Sequence, residues 1–150
     1  MQEGYKIMAR YEAIVPTELI KQFEDIYDNT FEMMRDMTRS GARVVYKNIQ
    51  NNMKKTFKTT NSLNKGLTIT KVYRTPTDNG INCKVGFYGY DKSKKTKKYP
   101  NGIPISLIAM AREYGTSSGE GKKTFFRKSF RKAEIESEMQ KVQEKYLPKE

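Results

Sequence analysis

The sequence predicts an α+β fold: a long N-terminal helix, a central antiparallel β-hairpin or small sheet, and a short helix and a C-terminal helix packed against it. Three observations carry this. Apolar residues recur at three- and four-residue steps from Leu19 to Met53, the period of a helix. Two β-rich runs flank the turn Thr75-Pro76-Thr77-Asp78-Asn79-Gly80, the pattern of a hairpin. Helical spacing then returns after Ile103 and again after Phe125.

The elements follow in order. Residues 1–16 are weakly patterned and read as a mobile or loosely packed arm. Thr17 is a reasonable N-cap, and Glu18 puts negative charge in the first turn. Leu19, Phe23, Ile26, Thr30, Met34 and Met37 then form a stripe, with Glu24, Asp25, Asp28, Glu32 and Asp36 on the other faces. Met33, Met34 and Met37 read as core packing in preference to an adaptable binding surface. Ser40-Gly41 could break the helix, but the phase holds through Val44, Val45, Ile49 and Met53. One helix from about residue 17 to 57 is expected, although Gly41 weakens it by roughly 1 kcal/mol against alanine. Such a helix is about 60 Å long at 1.5 Å per residue. That exceeds a compact domain of 150 residues. Part of it must pack elsewhere, most simply on a neighbouring subunit.

Residues 54–66 are polar and basic and read as a loop. Leu67 to Thr75 and Ile81 to Tyr90 are the hairpin strands, with Ile81, Cys83, Val85 and Phe87 on one face. On that face Cys83 is expected to be a small buried hydrophobe, not a nucleophile. Residues 91–102 hold Lys92, Lys94, Lys95, Lys97 and Lys98 with no periodicity, and form an exposed loop. Pro104 opens a helix that runs to Tyr114 and stops at Gly115. A Gly/Ser loop leads to Thr124, a candidate cap for a helix opening at Phe125. Phe126, Phe130 and Ala133 form its stripe, continued slightly out of register by Ile135, Met139, Val142 and Tyr146. The helix is expected to turn or change partner near Ala133. Alanine at Phe126 and Phe130 is expected to destroy the fold.

Composition narrows the function. One hundred and fifty residues suit a single domain. No apolar run approaches the roughly 18 residues that span a membrane. The opening residues lack a signal-peptide pattern, so the chain is expected in the cytoplasm. One cysteine excludes an internal disulfide, and the absence of histidine removes the usual metal ligand and general base. Gly115 to Thr124 has the flavour of a phosphate loop but not its spacing. No catalytic, cofactor or metal constellation stands out, and a non-enzyme without a small-molecule substrate is expected.

The net charge is +12, concentrated in residues 51–100, where 12 Lys/Arg face 2 Asp/Glu. A basic patch usually meets an acidic partner, protein or nucleic acid. Lysines in a loop would supply affinity to phosphate without reading sequence. Solvation alone is the other reading of that loop.

The order Glu113-Tyr114-Gly115-Thr116-Ser117, a short loop, then Phe125-Phe126-Arg127-Lys128-Ser129-Phe130 carries a resemblance. It resembles the head–tail joining or tail-completion proteins of tailed bacteriophages, the family named after the tenth gene product of a lambdoid phage. The resemblance covers most of the chain. It implies a structural part of a phage or prophage particle at the head-proximal end of the tail. The expected partners are other tail and neck proteins and further copies of the chain in a sixfold ring, with incidental contact to DNA phosphate. The location would be the host cytoplasm during assembly, then the virion. Charge reversal at Lys94, Lys95 and Lys97 would leave a folded monomer that assembles poorly. The alternative is a small basic nucleic-acid-binding protein, in its extreme form a histidine-free ribonuclease toxin.

Overall fold

A computed structural model describes residues 16–58, 61–119, 121–147 and 149. The expected arm at 1–16 lies outside these, apart from Pro16.

The long helix is continuous: α1 runs Thr17–Thr56. Thr17 is its first helical residue and not its cap. Pro16 occupies the cap position, and no side chain caps the end. Gly41 is tolerated because it faces the C-terminal helix, α4 (Lys132–Tyr146). A Cβ at Gly41 would sit 3.1 Å from Ile135 Cγ2 and 3.3 Å from Met139 Sδ. The glycine lets two helices approach closely, which offsets its poor helix propensity. Gly41→Leu should therefore push α4 away and cost about 2 kcal/mol, read as a lowered midpoint in urea. Gly41→Ala should cost far less, because helix propensity compensates the crowding.

Buried Gly41, Val45, Ile49 and Met53 recur every fourth residue along α1. The last three join Phe57, Leu63, Leu67, Ile105, Ala109 and Phe125 in one core. The region after α1 is more structured than its polarity suggests. A short helix, α2 (Asn61–Gly66), buries Leu63 and Gly66 under α3 (Ile105–Tyr114). Phe57 and Leu63 together tie this basic segment to the core.

The hairpin exists but is interrupted. Strand β1 (Leu67–Ile69) pairs antiparallel with β4 (Val85–Phe87), and β2 (Tyr73–Arg74) with β3 (Ile81–Asn82). Between them Thr70 N–H donates to Lys84 O, and Lys84 N–H donates to Thr70 Oγ1. A side chain replaces a ladder bond there, so the strands are shorter than their composition suggests. The same irregularity leaves Cys83 half-buried, its thiol 3.2 Å from the carbonyl of Thr70. It is not the buried hydrophobe that alternation implies. At the tip, the Arg74 guanidinium lies 4.0 Å from the centre of the Phe31 ring on α1.

A third strand pair, β5 (Tyr90–Asp91) with β6 (Ile103–Pro104), closes the lysine segment into a second hairpin. Its turn is built, not loose. Asp91 Oδ1 accepts from the Ser93 amide at 3.0 Å, and Oδ2 accepts from Ser62 on α2 at 2.5 Å. Thr96 and Tyr99 exchange backbone hydrogen bonds. Gly102, at φ 112°, ends the loop against the Asp91 carbonyl, where a Cβ would come within 2.6 Å.

Among the described residues no helix is long and apolar enough to cross a membrane.

Candidate functional site

The segment from Ile105 to Phe130 is organised by one carboxylate. α3 stops at Gly115, at φ 79°, a conformation glycine adopts at little cost. Two residues before that stop, Glu113 points into the protein and is buried. Its Oε2 accepts from the amides of Phe125 and Phe126 at 2.8 and 2.9 Å, and its Oε1 from that of Arg127 at 3.2 Å. Three consecutive N–H groups converge on one anion, the arrangement helix starts use for anions. Burial pushes the Glu113 carboxyl up, but the three N–H donors and the Arg127 charge outweigh it and hold it below its ordinary 4.5. Lys123 N–H closes the loop by donating to Arg112 O at 3.0 Å.

This corrects the role given to Thr124, which is exposed and caps nothing; Glu113 caps the turn from twelve residues upstream. What opens there is a short 3-10 turn, Arg127–Ser129, and α4 starts only at Lys132. The chain breaks helical geometry at Phe130 (φ −85°, ψ 70°) and Arg131 (φ −85°, ψ 102°). The register slip near Ala133 marks this break.

The aromatic assignments shift accordingly. Phe125 is fully buried, edge-on to Phe57 at 5.1 Å and to Phe87 at 6.1 Å. Phe126 is half-buried against Phe87, and Phe130 is 49% exposed. The stripe of Phe126 and Phe130 is thus the outer layer. Phe125, two residues ahead of the 3-10 turn, is the core residue. Outside, Arg112 lies over Phe57 and Arg127 over Tyr114, at 5.0 and 5.5 Å from the ring centres. Thr116 Oγ1 lies 3.1 Å from Ser118 Oγ. Glu113, Tyr114, Gly115, Thr116, Phe125, Phe126, Arg127 and Phe130 therefore belong to one knot. Its inner half is structural, and its outer half presents Tyr114, Arg127 and Phe130 to solvent.

The polar layer under the knot escapes sequence reading. Asn52 Nδ2 donates to Ser129 Oγ at 2.9 Å, and buried Ser129 donates on to Phe125 O at 2.7 Å. One turn earlier, Asn48 Nδ2 reaches Ser129 O and Glu134 Oε2. Two asparagines four residues apart inside an apolar-striped helix are the signal that could have located it.

The lysines form a second surface beside the knot. Lys92, Lys94, Lys95, Lys97 and Lys98 are all exposed, and the ion pairs among the described residues leave them out. Lys94 borders a shallow groove of about 280 Å³ against α3, shared with Ile103, Leu107, Ile108, Ala111 and Arg112. The third surface is the first half of α1. Leu19, Phe23 and Tyr27 are 41%, 61% and 81% exposed. Met34 is exposed, and Met33 and Met37 are half-buried, so the methionines do not form the core expected of them. The end of α4 reaches back along α1: the Tyr146 hydroxyl donates to Asp36, and Tyr146 and Leu147 line a shallow groove with Gln22, Asp25, Ile26 and Asn29, while Leu19, Phe23 and Tyr27 stay exposed.

Among the described residues no cluster of three or more His, Cys, Asp or Glu could hold a metal ion. Comparison with protein-family models, with curated proteins and with solved structures finds no match to this chain.

Proposed function

We propose that this chain is a non-enzymatic assembly protein of a tailed phage or prophage particle. It would act at the head-proximal end of the tail, in tail completion and head–tail joining. The observation that carries the reading is the start of α1, a helical arm on which Leu19, Ile20, Phe23 and Tyr27 stay exposed among the described residues. Exposed apolar patches of this kind mark contact with another protein. The resemblance of the Glu113–Phe130 segment supplies the kind of assembly. The arm and the hairpins would contact further copies in a ring, and other tail and neck proteins. A ring repeats each contact, so modest interfaces become strong together.

The test is electron microscopy of particles produced with the gene deleted. Separate full heads and tails, or tails of abnormal length, are expected. Normal joined particles would exclude the reading. The five exposed lysines favour one second reading, nucleic-acid binding through phosphate. It predicts a gel shift that weakens steeply as salt rises.

A further inference from the structure

We infer that the start of α1 docks into the groove between α3 and the lysine hairpin of a second copy of this chain. The contact is head-to-tail, so each copy offers one arm and one groove. It rests on the oligomeric part of the function proposed above and names the surfaces involved.

The arm side is amphipathic and acidic. Leu19, Ile20, Phe23, Ile26 and Tyr27 fall on one stripe of the helix, and all five are exposed. Residues 17–36 carry six acidic side chains (Glu18, Glu24, Asp25, Asp28, Glu32, Asp36) against Lys21 and Arg35. The groove side is the complement. Its floor is apolar, from Ile103, Leu107, Ile108 and Ala111, and its rim carries Lys94 and Arg112. Beyond the rim stand four further lysines, and beside the groove Met110 adds a 58% exposed apolar side chain.

Charge selects the pairing. Two arms laid against each other would bring like acidic charge together, which disfavours a symmetric arm–arm dimer. An acidic arm in a basic-rimmed apolar groove satisfies both the hydrophobic and the electrostatic requirement. It is the helix-in-groove mode of recognition. Arm and groove lie on different elements, the arm on α1 and the groove on α3 with the second hairpin, so they can meet different neighbours. Such a heterologous contact propagates from copy to copy and closes into a ring when the rotation permits.

The test is light scattering on the purified full chain after size exclusion. Wild type should self-associate. An arm variant, F23D with Y27D, should be monomeric, and so should a groove variant, L107D with K94E. An equimolar mixture of the two should yield a one-to-one dimer, because one intact arm and one intact groove remain. A milder pair guards against misfolding. K94E alone should weaken association about threefold, the weight of one exposed ion pair, and E24K should restore it. A monomeric wild type, a groove variant that assembles like wild type, or a mixture that stays monomeric together with no compensation between K94E and E24K would overturn the inference. The measurement is independent of the particle phenotype. Unjoined heads and tails with a monomeric wild type would sink the arm–groove contact alone. A one-to-one mixed dimer with normally joined particles would sink the assembly reading alone.

Discussion

Phe125→Ala should lower the unfolding free energy by about 4 kcal/mol, the usual loss for a fully buried phenylalanine. The ring has no exposed surface, and it touches helix, strand and its own neighbour through edge-on contacts with Phe57, Phe87 and Phe126. Its removal opens a cavity at the one point where α1, the first hairpin and the C-terminal segment meet. Against a total of about 5–15 kcal/mol for a domain, that is a quarter or more of the stability, and the midpoint in urea should fall clearly. Urea melts followed by circular dichroism measure it. Phe130→Ala should cost about 1 kcal/mol or less, as expected of a half-exposed side chain. If Phe130→Ala proved as damaging as Phe125→Ala, the 3-10 geometry of the turn would be wrong.

Glu113→Ala should cost about 3 kcal/mol, because it leaves three amide donors in and around the core without an acceptor. Glu113→Gln removes the charge and turns an NH2 group toward N–H groups, so it should be intermediate. The pH dependence separates charge from packing. The folded-state carboxyl titrates below its ordinary 4.5. Its contribution is therefore complete above that ordinary value and is lost as pH falls through the lower folded-state value. Wild type should lose stability on acidification below about pH 4.5, and the Gln variant should lose less over the same interval. The difference between the two curves isolates Glu113 from Asp91 and Glu134, whose hydrogen bonds also hold them low. Parallel curves would mean that the carboxylate is not the acceptor.

Much of this architecture is legible in residue order. Periodicity alone carries α1 through Gly41, since the phase of Met37, Val45 and Ile49 never breaks. Gly115 stops α3 where a glycine should. The slip between Phe130 and Ile135 locates the break before α4. The failures share a physical cause: local propensity is silent about long-range acceptors. Thr124 is the right residue type for a cap, but a carboxylate twelve residues upstream reaches the same amides first. Phe57 and Leu63 anchor a segment that is otherwise polar, and Lys84 pairs with a threonine side chain where alternation anticipates a ladder bond. The resemblance joins Glu113 to Phe125 in one motif, and the carboxylate between them gives that spacing a mechanical reason.

The same carboxylate changes what the intervening loop has to do. Residues 112–113 are fastened directly to Lys123 and to residues 125–127, so the peptide between Glu113 and Lys123 does not set their separation. It behaves as a tether across an already closed gate. The entropy of closing a flexible tether grows only with the logarithm of its length, about 0.6 kcal/mol for each doubling. A peptide or a reporter of some ten residues placed at the Ser118–Gly119 tip would thus be carried at small thermodynamic penalty. Related chains could differ freely in loop length there while keeping Glu113 and Phe125 in register.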